Sequence, residues 1–216
     1  MTKKLLGLLI FALAVSLPSA YATTVSLAPG GTVTPPPTNG SSFSGLTLVV
    51  DTGSEAFTTN TGLVSGTADI RVYREAGGTL DFFYLISNNA SSSDAIGRVT
   101  AVNFAGFSTA VAYLTLPSSG IPPTEAERSS GAGDTIGFNF QSGGNTLVAG
   151  ATSDWLEIQT NATNFKTGST QIIDGGIAAV NSYAPSSAVP EPMTMGLIGG
   201  GLALLGVARM RRAKKA

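Results

Sequence analysis

An antiparallel β-sandwich is the fold class that three observations predict. Apolar residues recur with a period of two, Gly/Pro/Asn/Ser turn signals separate the runs, and no stretch of the body sustains helical spacing. The full expectation is an all-β chain, with that sandwich flanked by an N-terminal signal peptide and a single C-terminal transmembrane helix.

Residues 1–22 read as a secretory signal peptide. Lys3 and Lys4 form a charged start, "LLGLLIFALAV" an apolar core, and Pro18 ends it. Ala20 and Ala22 supply the small side chains that signal peptidase requires, with cleavage after Ala22. Residues 23–42 read as a lead-in rich in Pro, Gly and Thr, where Pro35, Pro36 and Pro37 favour polyproline II.

The β-sandwich body is expected over residues 43–182. In "GTADIRVYRE", Ala68, Ile70 and Val72 alternate with Asp69, Arg71 and Tyr73. In "TLDFFYLIS", Leu80, Phe82, Tyr84 and Ile86 share one face. Further strands are expected at 46–50, 96–104, 109–116, 135–141, 155–160 and 170–180. Turn signals stand at 76–78, 87–94, 117–123, 142–145 and 174–176. "PPTEAER" at 122–128 is expected to form one helical turn, and "YAPSSA" at 183–188 a spacer.

The chain has no Cys and no His. That excludes a disulfide framework, thiolate metal sites, a cysteine nucleophile and a histidine base. Residues 23–188 carry five basic and twelve acidic side chains, a net charge of about −7. Nucleic-acid binding needs a positive face and is set aside. No cofactor, metal ligand or catalytic residue is expected.

"VVDTGS" at 49–54 resembles the fingerprint of pepsin-like and retroviral aspartic proteases, whose chemistry needs two aspartates sharing a proton. No second Asp-Thr/Ser-Gly follows, so Asp51 and Gly53 read as turn residues ending a strand. A glycosidase would need two carboxylates facing one cleft. Asp69, Asp81 and Glu157 lie on the outward phase of their strands, Glu55, Glu75, Glu125 and Glu127 near turns, and all read as solvated surface. Trp155 beside Tyr113, Tyr84 or Tyr183 is read as core or edge packing in preference to a sugar platform. Asn88, Asn89 and Asp94, or Asp134 and Asp174, lack the spacing of a calcium loop. Asn39, Asn89 and Asn161 head N-x-Ser/Thr sequons, read as chance matches.

The end of the chain, residues 189–216, has three parts in order: Val189, Pro190, Glu191 and Pro192; an apolar, glycine-rich stretch at 193–208; and Arg209, Arg211, Arg212, Lys214 and Lys215 at 209–216. As a helix, 193–208 spans roughly 24 Å, slightly short of a bilayer core, with flanking cations able to snorkel. The basic cluster orients the tail to the cytoplasm and the body outside. The two prolines keep 189–192 extended, the form a protease grips.

This ordered triplet, with a signal peptide at the other end, resembles the PEP-CTERM sorting signal of Gram-negative bacteria. "RSSGAGDTIGFNF", "WLEIQTNATNF" and "IIDGGIAAVNSY" resemble segments recurring in the bodies of such proteins. The resemblance implies recognition of Pro190, Glu191 and Pro192 by an intramembrane cysteine protease, exosortase, and an association with exopolysaccharide and biofilm. The expected function is therefore an exported, non-enzymatic surface or extracellular-matrix protein. It passes through an inner-membrane-anchored intermediate and then reaches the cell surface or matrix. Its partners are signal peptidase, exosortase, the membrane and exopolysaccharide. The alternative is a carbohydrate-binding or polysaccharide-acting exported protein.

Overall fold

The computed structural model describes residues 24–38, 43–141 and 146–187. The expected signal peptide with Ala20 and Ala22, the sorting motif, the membrane span and the basic tail lie outside the described residues, as do Asn39 and the turn at 142–145. No helix among the described residues is long and apolar enough to cross a membrane.

Among the described residues there are thirteen strands: β1 (Val25–Ser26), β2 (Thr32–Val33), β3 (Pro37–Thr38), β4 (Thr47–Thr58), β5 (Ser65–Arg74), β6 (Leu80–Asn88), β7 (Arg98–Ala101), β8 (Thr109–Leu114), β9 (Glu125–Arg128), β10 (Ile136–Asn139), β11 (Trp155–Thr160), β12 (Asn164–Ile173) and β13 (Ile177–Ser186). A seven-stranded sheet runs β1-β8-β11-β6-β5-β4, and a six-stranded sheet runs β13-β12-β7-β10-β9-β2. All pairs are antiparallel except β3 with β8, which adds to the larger sheet in parallel.

The period-two pattern does what it predicts. On β5 the buried residues Ala68, Ile70 and Val72 alternate with Asp69, Arg71 and Tyr73. Phe82, Tyr84 and Ile86 of β6 and Leu156 and Ile158 of β11 join them from the larger sheet; Val99, Phe138, Ile172 and Val180 meet them from the smaller one. Phe82 packs edge-on to Phe104 at 5.6 Å. This single apolar layer between two sheets is the core that a chain without disulfides requires.

Several elements differ from the sequence reading. The lead-in is woven into both sheets: β1 lies on β8, β2 on β9, and β3 returns to β8. Two-residue strands have no periodicity to read, and prolines are compatible with edge positions. Leu27, between β1 and β2, is completely buried in the core. The "TEAER" stretch is β9, not a helical turn, because Ala126 faces the core while Glu125 and Glu127 face out. The strand expected at 46–50 continues to Thr58 through two register shifts, one of them at "DTGS". The 170–180 run is two strands meeting at Asp174, whose carboxylate accepts from Gly176 N at 2.7 Å. β13 then carries on through the expected spacer to Ser186.

Candidate functional site on the outer face of the larger sheet

The outward phase of β5, β6 and β11 places three cross-strand rows on one face. Asp69, Leu85, Trp155 and Leu114 form the first; Asp51, Arg71, Phe83 and Glu157 the second; Tyr73, Asp81 and Gln159 the third. The face therefore collects four carboxylates and three aromatic rings.

The rings close on themselves. Phe43, just before β4, stacks on Tyr73 with centroids 4.5 Å apart and meets Phe83 and Trp155 edge-on at 5.0 and 5.4 Å. Leu46, Leu85 and Leu116 pack around them. Trp155 is only 5% exposed, so its ring face is already occupied. Its neighbour is Phe43, not Tyr113, Tyr84 or Tyr183. Arg71 lies over the Trp155 ring at 4.7 Å.

Arg71 also bridges two aspartates, reaching Asp51 at 3.0 Å and Asp69 at 2.8 Å. Burial raises the Asp69 pKa, and Arg71 opposes that shift. Asp51 belongs to the "DTGS" bulge. Its Oδ1 accepts from Gly53 N at 2.6 Å, Gly53 has φ of 66°, and Thr52 Oγ1 accepts the Ile70 N–H that the bulge leaves unpaired. The motif shapes an edge strand, with a cation between its aspartate and the nearest other one.

Asp81 of the third row and Glu157 of the second depart most from the sequence reading. Asp81 and Glu157 have the outward phase expected, yet neither is solvated: Asp81 is fully buried and Glu157 is 4% exposed. Neither carboxylate oxygen of Asp81 has a hydrogen-bond donor. Burial first, then Glu75 and Glu157, pushes its pKa up to about 9. Burial pushes Glu157 up to about 7; Gln159, donating at 3.0 Å, opposes the shift and Glu75 adds to it. These are acids that hold a proton near neutral pH.

The remaining carboxylates with a sequence reading lie apart. Glu55 accepts from Asn181 N at 3.1 Å where β4 and β13 meet, and Glu127 pairs with Arg98 on the smaller sheet. Asn88 donates to the carbonyls of Asp94 and Leu147, and Asn161 accepts from Ser108 N. Among the described residues no three acidic side chains are arranged to hold a metal ion. Phe43 has no sequence signal because it follows a Ser/Gly-rich lead-in, and Glu75 was legible only as a carboxylate near a turn. No protein-family model matches this chain, and no curated protein or solved structure is significantly similar to it.

Proposed function

We propose that this chain is an exported, non-enzymatic surface or extracellular-matrix protein, sorted through its C-terminal segment and associated with exopolysaccharide. Val189, Pro190, Glu191 and Pro192 are the recognition handle, 193–208 the temporary membrane stop, and Arg209, Arg211, Arg212, Lys214 and Lys215 the orientation lock. The observation that carries this reading is the order of those three parts in the sequence. The body this tail would deliver is all-β, with two antiparallel sheets.

Replacing Pro190, Glu191 and Pro192 together with alanine tests it. Full-length protein is expected to accumulate in the inner membrane, with loss of the processed extracellular form by fractionation and mass measurement. Unchanged processing and surface appearance of that variant would overturn the sorting role.

A further inference from the structure

We propose that Asp81, Glu75 and Glu157 form a proton-held clasp that fixes the β5–β6 turn against β11 and releases it as the surroundings turn alkaline. Three structural facts carry this. Asp81 is completely buried on a sheet face with no donor for either oxygen. Glu75 stands diagonal to it across the β5–β6 hairpin, since Asp81 is opposite Tyr73 and Glu75 N donates to Thr79 O at 3.0 Å. Glu157 stands diagonally across the β6–β11 ladder, since Asp81 is opposite Gln159. A buried carboxyl without a donor, flanked by two other carboxyl side chains, is favoured in its protonated form.

Among the described residues the surrounding groups offer no cation. Arg71 of β5 is committed to Asp51 and Asp69, and Arg74 to the carbonyls of Gly78 and Thr163. β5 presents Tyr73, the cross-strand partner of Asp81. From β11 come Glu157 and Gln159; Gln159 accepts from the Thr24 hydroxyl at 3.0 Å. In the turn, Thr79 donates to Glu75 at 2.9 Å, so that carboxyl is held in place. Burial first, then repulsion from Glu75, raises both Asp81 and Glu157, in agreement with protons retained there.

Loss of the proton has a local reporter. Tyr73 stacks on Phe43, Phe43 touches Trp155, and Trp155 is the only tryptophan of the chain. When the clasp opens, the ring cluster loosens and Trp155 meets water.

The test is Trp155 fluorescence of the purified full chain, titrated from about pH 5 to about pH 9. The wild type is expected to show a reversible red shift on the alkaline side of neutrality. Asp81→Asn is expected to remove it and to keep the acid-side spectrum throughout. Glu75→Gln, whose amide donates to an ionised Asp81, is expected to remove it as well. Far-UV circular dichroism at the acid end verifies folding, and Glu75→Gln decides if Asp81→Asn does not fold. An unchanged transition in the folded variants overturns the clasp, as does a wild type with no transition. Suppression of the wild-type transition by calcium chloride also overturns it, because the carboxylates would then be a cation site.

Discussion

Arg128 is a buried cation that works without a counter-ion. It is 4% exposed, and no carboxylate lies within salt-bridge distance among the described residues. Its Nε donates to Gly133 O at 2.8 Å; one terminal nitrogen reaches Leu27 O and Thr109 Oγ1, and the other Phe104 O and Phe107 O. All five guanidinium donors are thus used, four of them on backbone carbonyls. Arg128→Met removes the donor to Gly133 O and Phe107 O, while Leu27 O keeps Thr109 Oγ1 and Phe104 O keeps Phe107 N, and is expected to cost about 3 kcal/mol in urea denaturation. Arg128→Lys, with fewer donors and no planar fork, falls between it and the wild type. Gly133 sits at φ of 66°, where an added Cβ would lie 2.6 Å from Arg128 Nε, so Gly133→Ala is expected to destabilise by the same route. "RSSGAGDT" is therefore a loop folded around its own first residue. The sequence displayed the glycines of that loop plainly but not the burial of the arginine, since a charged residue at the end of a polar strand normally faces water.

Among the elements, the three shortest strands contribute most beyond their length. β1 and β3 cover β8 and β2 covers β9, so a segment of proline and glycine composition seals one side of the sandwich. Leu27 is its anchor, and Leu27→Ala is expected to cost about 2–5 kcal/mol. A chain lacking 24–38 is expected to aggregate through the bared edges of β8 and β9, measured by size-exclusion chromatography. Unaltered solubility and stability of that deletion would instead restore the reading of this segment as a linker. Long strands were legible because their alternation is a local property: β5 and β6 stand within one residue of their expected limits. Edge-sealing strands are defined by what they pair with, which is far away in sequence. The same holds for Asp81 and Glu157, whose phase was readable but whose burial depends on Glu75, Phe43 and Tyr73 arriving from other elements.

For the molecule as a whole, stability should depend on pH in an unusual direction. Asp81, Glu157 and Asp154 have folded pKa values raised to about 9, about 7 and about 6, with burial the leading cause in each. The unfolded chain releases these protons first, at ordinary carboxyl values. The stability they contribute is complete below that range and is lost as pH climbs toward the folded values. The slope is at most about 1.4 kcal/mol per pH unit for each group. Urea midpoints are expected to be highest in mild acid and to fall toward about pH 9, with Asp81→Asn more stable than the wild type on the alkaline side. A midpoint that rises steadily from acid to neutral pH would contradict the burial of these acids. The strand order also decides how the body takes up load. β13 is an outermost strand joined in the smaller sheet only to β12, and its last rung pairs Ser186 with Asn164. Tension applied beyond Ser186 therefore falls on one pair of rungs at a time, opening the hairpin like a zip. Side-chain ties resist the peel: the Phe165–Tyr183 edge-on contact at 5.5 Å, the buried Thr170–Ser182 hydroxyl bond at 3.0 Å and the grip of Glu55 on Asn181. A body hung from its C-terminal end is thus weakest at that attachment, and the Glu55–Asn181 tie joins the yielding strand to the opposite sheet.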